Sequence, residues 1–459
     1  MATQTNVASA SSATRPPQGR LAARMPAFTG LMTMPGVLQI CLSNGLAQSF
    51  GQRMQAIAVG WLVLDMSGSE FWLGIINGVP AISIVVFSLV GGVFADRLEA
   101  GRVLVASRAA LALAAAVIAL LAMTGGVPLV YLLVYMLVAV GIAAIDMPVS
   151  RGLVLDLVGN GRLLSANAAQ SAFRDIFNIV VPLAMALLIG TSGSGAAFFI
   201  LAAGYAVATL LMLRTRPRAD GAESARAAAR RPVPSETRTH NLTGSRPHRH
   251  WVATARHRLS SAPMADVLDG FAYIRTDRAV RALVILGFLV PVAGIYFAMM
   301  PVYAREILSV GVGGLGALAA SFSAGSLLGS LYLTARGGMN RRALKLTLVG
   351  GAFGAGMMIF ALSDSFALSC IVSFLMGVSA GIWLNLLTAL VQLAAVPEMR
   401  GRVMGVSTMA YQLIGLGWLV GGTLATLLGV KATVLAGGIV FAGASVALFA
   451  ISEEMRRID

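Results

Sequence analysis

Long apolar runs alternate with short polar segments along most of the chain. A helix needs about 20 mainly apolar residues to cross a bilayer core of about 30 Å, and about twelve runs reach that length. Gly, Pro or Arg bounds the runs. The pattern predicts an all-α membrane protein with transmembrane spans 1 to 12 at residues 36–64, 71–95, 103–123, 127–149, 163–190, 195–213, 280–303, 311–334, 343–363, 366–394, 402–428 and 430–451.

A polar stretch divides the spans into two sets of six. Residues 214–250 contain almost no large apolar side chains, and such a segment does not bury enough surface to fold alone. The two sets echo each other, because LDLVGNGRLLSANAA follows span 4 and VQLAAVPEMRGRVMGVSTMA follows span 10, with Arg162 and Arg402 at equivalent positions. A repeat of six-helix units is typical of transporters whose binding site lies between the halves.

These features predict two pseudo-symmetric six-helix bundles joined by a linker. The apolar run that follows the polar N-terminal tail is too long for a signal peptide, so we expect it to remain as an anchor. The sequence PMADVLDGFAYIRTDRAVRALV has amphipathic spacing and predicts a helix at the membrane interface. The expected segments are an N-terminal tail, a first bundle, a linker with this interfacial helix, a second bundle and a C-terminal tail, at residues 1–35, 36–213, 214–279, 280–451 and 452–459.

Polar side chains recur on one face of several spans, whereas spans 3, 6, 9 and 12 are nearly featureless. In spans 1 and 5 they stand three or four positions apart, at Asn44, Gln48, Gln52 and Gln55 and at Asn167, Ser171, Arg174 and Asn178. Such faces favour a water-accessible cavity, although hydrogen bonds between neighbouring helices are the simpler alternative. The candidates for the substrate cavity are Asn44, Gln48, Gln52, Asn178, Tyr296, Trp383, Asn385, Tyr411 and Gln412.

Four charged residues stand out within or near the ends of the spans. A charge at the bilayer centre costs roughly 2.5–3.5 kcal/mol even on insertion scales, so each needs a partner or a purpose. We expect Asp175 to pair with Arg53 and to be the proton-coupling acid, with a permanently ionised structural pair as the alternative. Asp146 is expected either to pair with a nearby arginine at the gate or to take part in coupling, and Arg174 completes the coupling candidates.

Composition and charge agree with membrane insertion. The chain of 459 residues is 57% hydrophobic and 12% charged, against about 25% charged in soluble domains. Lys and Arg number 34 against 19 Asp and Glu, and 30 of the 34, including Arg97, Arg102 and Arg108, fall in loops predicted to be on one side, with two on the other. This bias predicts cytoplasmic termini, and it makes membrane lipid the expected partner of the basic excess instead of nucleic acid.

The reactive side chains argue against an enzyme. The four His lie in or near the linker, the two Cys lie in apolar runs, and no span combines a nucleophile, a base and an orienting group at a suitable spacing. We therefore expect no catalytic residues, no metal and no cofactor. A pair such as His248 and His250, which flank one Arg in a polar linker, is expected to be solvated.

The segment GGVFADRLEAGR after span 2 resembles the loop motif between the second and third helices of the major facilitator superfamily. Gly92, Asp96 and Arg97 match that motif, and Arg102 supplies a later basic position, while Glu99 to Gly101 replace the usual Gly and basic pair. The resemblance implies that these four residues form a gating loop, in which the Asp caps a helix of the other half and latches the outward-facing state.

Five further segments resemble the branch of that superfamily that contains the enterobactin exporter and macrolide-efflux proteins: GQRMQAIAVGWLVLDMSGS, AIDMPVSRGLVLDLV, GFAYIRTDRAVRAL, MPVYAREILSVGVGGLG and TALVQLAAVPEMRGRVMG. The resemblance implies export of a small amphipathic molecule, siderophore-like or macrolide-like, by a proton-driven antiporter in a bacterial plasma membrane, and we expect a monomer. One departure is span 5, where Val181-Pro182-Leu183-Ala184 lacks the glycines that flank Pro in the family, which puts tight packing there in question.

Other functions are compatible with the same pattern. An importer or a lipid carrier would share the fold. A membrane sensor or scaffold without transport would share it too, and the thinned loop motif and the altered span 5 motif are the features in its favour.

Overall fold

A computed structural model describes residues 36–80, 83, 99–124, 126–193, 195–215, 263–336, 341–396 and 399–453. Throughout these ranges the regular structure is helical, without strands. The helices are α1 Val37–Ser49, α2 Gln55–Ser67, α3 Glu70–Gly78, α4 Ala100–Met123, α5 Leu129–Ser192, α6 Ala196–Arg214, α7 Pro263–Thr276, α8 Arg278–Gly287, α9 Val290–Val302, α10 Gly311–Arg336, α11 Arg342–Leu362, α12 Phe366–Ala394, α13 Arg400–Gln412, α14 Ile414–Leu428 and α15 Val430–Ile451.

The membrane-protein class is confirmed. Within the described ranges ten helical stretches are long and apolar enough to cross a membrane, and they correspond to predicted spans 3 to 12. Span 1 is the continuous run of α1, a π-helical segment at Phe50–Met54, and α2. Span 2 begins with α3, and most of its second half lies outside the described residues. About twelve spans is therefore consistent with the fold.

The π-helical segment changes the polar face predicted for span 1. A π-helical turn contains one residue more than an α-helical turn, so the side chains after it are rotated relative to those before it. Gln55, which follows the segment, points into the first bundle, where its amide donates to the sulfur of Met136 at 3.2 Å and accepts from the hydroxyl of Tyr205 at 3.4 Å. Gln55 therefore leaves the stripe that begins with Asn44 and Gln48.

The range of α5 covers 64 residues and includes both span 4 and span 5. If it were straight, Asp146 and Gln170 would lie about 36 Å apart at 1.5 Å per residue. Instead, Arg108 contacts Asp146 and Asn44, and the amide of Asn44 donates to Gln170 at 2.9 Å. Two side chains, Arg108 and Asn44, thus join the two positions, so the chain must reverse its direction between them. We call its two antiparallel parts the first and second arms of α5.

Helix packing in the second bundle relies on glycine. In α10 and α12, Gly325, Gly329, Gly377 and Gly381 each face a backbone carbonyl of the opposite helix so closely that a Cβ atom would collide with it. The spacing of four residues in both helices repeats this contact on consecutive turns. Small residues let transmembrane backbones approach in this way, so spans 8 and 10 form one rigid pair.

The two halves meet at the end of the molecule where α3 begins, which we call the Glu70 end; the opposite end is the Gly36 end. A Cβ atom at Gly74 of α3 would lie 2.9 Å from the Cα of Gly422 and 2.9 Å from the carbonyl oxygen of Trp418, both in α14. On the other side, a Cβ atom at Gly316 of α10 would lie 2.8 Å from the carbonyl oxygen of Pro182 in α5. Among the described glycines, all close contacts between the halves lie toward this end.

Helix α7, predicted to be interfacial, packs on the second bundle at the Gly36 end. Asp269 forms an ion pair with Arg402 of α13 at 3.2 Å, and a Cβ atom at Gly270 would lie 3.1 Å from the carbonyl oxygen of Arg402. Tyr273 is buried, and its hydroxyl accepts from the backbone N–H of Val396 at 3.4 Å. One face of α7 is therefore fixed to the start of span 11.

Candidate functional site

The first bundle contains a buried ion pair between α4 and the first arm of α5. The Nη2 atom of Arg108 lies 3.3 Å from one carboxylate oxygen of Asp146, and the Nε atom lies 3.4 Å from the other. Arg108 is completely buried and Asp146 is 8% exposed. Isolated charges in such surroundings would each cost several kcal/mol, so the pair must be held by further hydrogen bonds.

Span 1 and α6 supply those hydrogen bonds. Arg108 donates to the side-chain oxygen of Asn44 at 2.6 Å and to the hydroxyl of Ser43. Ser43 in turn donates to the carbonyl oxygen of Ala208 at 2.5 Å. Ser107 donates to Asp146 at 2.7 Å. The guanidinium donates hydrogen bonds to a carboxylate, an amide oxygen and a hydroxyl. Through these bonds, and through Ser43, it connects spans 1, 3, 4 and 6.

The prediction that Arg108 belongs to a loop is wrong. Helix α4 starts at Ala100, so Arg108 stands about 12 Å along the helix at 1.5 Å per residue. Asp146 is paired with this residue of span 3, and its carboxylate is enclosed by the bundle. The signal for Arg108 was present in the sequence, because a single Arg interrupts the apolar run from Val103 to Met123. Because Arg108 is near the start of that run, a position in the preceding loop was the simpler interpretation.

Span 1 and the second arm of α5 are joined by side-chain hydrogen bonds. Besides the bond from Asn44 to Gln170, the hydroxyl of Ser49 donates to the side-chain oxygen of Asn178 at 2.7 Å. Between these two bonds, a Cβ atom at Gly45 would lie 2.8 Å from the Cβ of Phe173. Asn44 and Asn178, both predicted for the cavity, are buried in this contact, while Gln48 is half-buried.

A second ion pair lies beside this contact. The Nε atom of Arg174 is 3.2 Å from a carboxylate oxygen of Asp175, with side-chain exposures of 35% and 12%. Asp175 precedes Pro182 by seven residues and Ala186 by eleven, which are spacings of one helical face. Since Pro182 and Ala186 contact Gly316 of α10, Asp175 lies on the face of α5 that is turned toward the second half.

The same face explains the unusual motif in span 5. The family's glycines are missing around Pro182, but the glycine of the contact is supplied by the opposite helix, at Gly316. The backbones of spans 5 and 8 therefore approach closely without glycines in span 5. Spans 5 and 8 are therefore closely packed at Pro182, which the altered motif had put in question.

In the second bundle, two of the predicted cavity residues lie in its core. Tyr296 is completely buried, donates to the hydroxyl of Ser373 at 2.9 Å and packs edge-on against Phe360. Trp383 is 4% exposed and packs against Phe441 of α15. The indole is therefore enclosed within the second bundle, against span 12.

The remaining candidates of the second half are less enclosed. Asn385 is exposed and donates to the hydroxyl of Ser330 in α10 at 3.0 Å. Tyr411 is half-buried: a Cβ atom at Gly287 of α8 would lie 3.3 Å from its ring, and its hydroxyl is buried within the second bundle. Of the cavity candidates in the second half whose side chains are described, Asn385 is therefore the most exposed.

Several predicted site residues lie outside the described part of the chain. Gly92, Asp96 and Arg97 of the gating loop are among them, and so are the side chains of Gln52, Arg53 and Gln412. The pairing of Asp175 with Arg53 stays a prediction. Arg102, the last residue of the predicted gating loop, forms an exposed ion pair with Glu99 at 2.8 Å.

Within the described ranges, no group of three or more His, Cys, Asp or Glu side chains is arranged to hold a metal ion. Among the described residues of the first half, two Arg–Asp ion pairs lie within the spans, Arg108 with Asp146 and Arg174 with Asp175.

Residues 41–417 match the sequence model of the Major Facilitator Superfamily. A multidrug efflux pump, Tap, of Mycolicibacterium fortuitum is 26% identical over 417 residues, which are 88% of this chain and 93% of that protein. Among solved structures, the nucleoside transporter NupG has a TM-score of 0.65 at 15% identity, over 92% of this chain and 99% of its own. A bacterial homolog to the human lysosomal transporter Spinster, inward-facing and occupied, has a TM-score of 0.61 at 14% identity, over 92% and 95%. Both structures share the fold.

Proposed function

Because this chain belongs to the major facilitator superfamily, we propose that it is a secondary active transporter that exports small amphipathic molecules in exchange for protons. Siderophore-like and macrolide-like compounds are the proposed substrates. The observation that carries proton coupling is the pairing of two carboxylates, Asp146 and Asp175, with arginines inside the spans. The 26% identity to an efflux pump favours export.

We assign the Gly36 end to the cytoplasm of a bacterial cell and the protein to its plasma membrane. With Arg108 moved from the loops into the bundle, 29 of the 34 Lys and Arg remain in loops and tails of that side, against two at the Glu70 end. Excess positive charge marks the cytoplasmic side. The contacts between the halves at the Glu70 end then correspond to a conformation that is closed to the outside.

Alternating access would exchange these contacts for others at the Gly36 end. The contacts of α3 with α14 and of α10 with α5 are close approaches of backbone at glycines. The halves can separate at these glycines without breaking an ion pair there. The rigid pair of α10 and α12 would move as a unit. Substrate would bind between the halves, where the exposed amide of Asn385 and the half-buried side chain of Gln48 offer hydrogen bonds.

The two carboxylates have different tasks in this proposal. Asp175 is turned toward the second half, so a proton on it would remove a negative charge from the surface that meets α10. Asp146 is enclosed within the first half, so a proton on it would leave Arg108 without its counter-charge and would loosen the junction of spans 1, 3, 4 and 6. One site would gate the halves, and the other would set the shape of the first half.

The test is uptake into everted membrane vesicles that contain the full-length chain. Siderophores, macrolides and other amphipathic compounds are offered with and without a proton gradient, and accumulation is compared in vesicles without the protein. Glu99→Gln is the control for a lost carboxylate, because Glu99 lies in an exposed pair. We expect accumulation that collapses when the gradient is dissipated and that Glu99→Gln leaves intact.

Three results would overturn the proposal or a part of it. Accumulation that does not respond to the gradient would remove proton coupling while leaving transport. Accumulation only in right-side-out vesicles would identify an importer. No transport of any compound in either orientation would favour a sensor or scaffold of the same fold.

A further inference from the structure

Three arginines cluster at the elbow between α7 and α8. Arg275, Arg278 and Arg281 are all exposed and follow one another at intervals of three residues. The guanidinium of Arg281 reaches back across the elbow and donates to the carbonyl oxygen of Arg275 at 3.0 Å. This hydrogen bond keeps the guanidinium of Arg281, in α8, beside the end of α7 that carries Arg275. We call the three residues the elbow arginines.

The elbow itself is well defined. Asp277 caps α8, and its carboxylate accepts from the backbone N–H groups of Ala279 at 2.9 Å and Val280 at 3.0 Å. The hydroxyl of Tyr273 lies 3.4 Å from the other carboxylate oxygen. Asp277 is thus the acid nearest to the elbow arginines in sequence, and its oxygens are directed to the start of α8. Within residues 275–281, three arginines therefore stand beside one acid.

The opposite face of α7 is already occupied. Gly270 and Tyr273 pack on span 11, and Asp269 pairs with Arg402. The face that carries Arg275 is directed away from the protein, together with the ring of Phe271, which is 42% exposed. Helix α7 therefore packs one face on the second bundle, and its opposite face, with Phe271 and Arg275, is exposed among the described residues.

The flanking residues fix the depth of the cluster in a membrane. The span that contains α8 and α9 starts at Arg278, so the elbow arginines stand where the apolar run begins. One and two turns further along α8, Ile285 and Phe288 are 44% and 43% exposed. Exposed apolar residues on one side of the arginines, and an exposed aromatic ring on the other, are the pattern of a helix that meets the headgroup layer.

We propose that the elbow arginines bind the headgroup of an anionic phospholipid in the leaflet at the Gly36 end. The phosphate group accepts hydrogen bonds from the guanidinium groups, which suit bidentate contact with phosphate, while its acyl chains lie against Ile285 and Phe288. Because α7 is attached to α13, the lipid also fixes the position of the end of span 11. The binding requires that the chain is in a membrane and does not rest on the proposed transport activity.

The test uses the full-length chain in nanodiscs that contain equal amounts of phosphatidylglycerol and phosphatidylcholine with distinguishable acyl chains. A photoreactive benzophenone amino acid replaces Phe271, and cross-linked lipids are identified by mass spectrometry. Each arginine near an anionic surface contributes roughly a fivefold preference. We expect phosphatidylglycerol to dominate the cross-links by about tenfold or more.

Matched variants separate this site from general charge. The triple variant R275Q/R278Q/R281Q is expected to lose the preference, whereas R275K/R278K/R281K retains most of it. R341Q/R342Q/K345Q removes the same charge from the start of α11, at the same end of the molecule, and is expected to leave the preference unchanged. All variants are first compared by circular dichroism and size-exclusion chromatography, and the lysine triple controls for loss of folding.

Three outcomes would overturn the proposal. The first is equal capture of both lipids by the chain with intact arginines. The second is an equal loss of preference in the control triple at α11. The third is displacement of phosphatidylglycerol by millimolar inorganic phosphate, which would identify free phosphate as the ligand.

Discussion

Arg108 of α4 contacts both carboxylate oxygens of Asp146 in α5, at 3.4 and 3.3 Å, and is completely buried in the first bundle. Removing one partner of such a pair leaves an uncompensated buried charge, which costs about 3–5 kcal/mol. Arg108→Met and Asp146→Leu should therefore each lower the melting temperature sharply in detergent. The double variant should recover most of the loss, because two apolar side chains replace the pair.

The control for this prediction is the more exposed pair of Arg102 and Glu99. Neutralising either of these residues should change the melting temperature little, since surface pairs contribute about 0–1 kcal/mol. A double variant of Arg108 and Asp146 as unstable as the single variants would contradict the expected compensation.

Asp175→Asn tests the acid that faces the second half. The amide keeps the shape of the side chain but cannot take up a proton, so we expect transport to continue down a substrate gradient and to lose its dependence on the proton gradient. The measurement is vesicle uptake at several external pH values, with and without an ionophore. If Asp175→Asn is still fully driven by the proton gradient, Asp175 is a structural residue and Asp146 remains the candidate.

Gly74→Ala tests the contact that closes the Glu70 end. Its Cβ atom would meet two backbone atoms of α14 at 2.9 Å, and overpacking of this kind costs about 1–3 kcal/mol. A free-energy change of about 1.4 kcal/mol alters the ratio of the closed to the open conformation of the Glu70 end about tenfold. Spin labels are placed at the exposed positions of Phe71 and Leu427. Double electron–electron resonance should then give a longer distance between the labels in Gly74→Ala than in the chain with Gly74.

Gly443→Ala is the matched control, because a Cβ atom there has no neighbour within 4 Å. It should leave the label distances as they are. An unchanged distance in Gly74→Ala would mean that α3 and α14 stay together by some other contact, and the proposed opening at this end would be wrong.

Trp383 and Asn385 stand two residues apart in α12 and should behave differently. The indole of Trp383 is buried against Phe441, and its N–H has no hydrogen-bond partner among the described residues. Trp383→Phe keeps the packing, so we expect a stability change below about 1.5 kcal/mol and an unchanged substrate range. Asn385→Ala should change stability by about 1 kcal/mol and should alter the inhibition constants of competing substrates.

These two variants are compared by thermal unfolding and by competition for uptake. A substrate range that changes with Trp383→Phe and not with Asn385→Ala would reverse the assignment. In that case the substrate would bind within the second bundle, on the side of α15.

The spans were predictable because the length of an apolar run is a local property. Predicted spans 10 and 12, at residues 366–394 and 430–451, have the same bounds as α12 and α15. Arg108 was not predictable in the same way. A charge eight residues into a helix is compatible with a loop or with the bundle, and the choice depends on partners from spans 1 and 4 that are far away in sequence.

The helix that each polar side chain contacts was only partly predictable. A stripe shows which residues share a helix face, but it does not show which neighbour that face meets. The stripe on span 1 begins with Asn44, which meets α4 and α5, and the π-helical segment then turns Gln55 toward Met136 and Tyr205. In span 10, the face of Trp383 meets α15, whereas Asn385 meets α10.

The two bundles are held by different means, and this has a consequence for how each tolerates mutation. The contact of α10 with α12 depends on four positions that accept no side chain, so a saturation library should recover only glycine at Gly325, Gly329, Gly377 and Gly381. In the contact of span 1 with α5, Ser49 bonds Asn178, and replacing both partners of a hydrogen bond by apolar groups of similar shape can be nearly neutral. Functional survivors of such a library should therefore vary together at Ser49 and Asn178 and stay invariant at each of the four glycines.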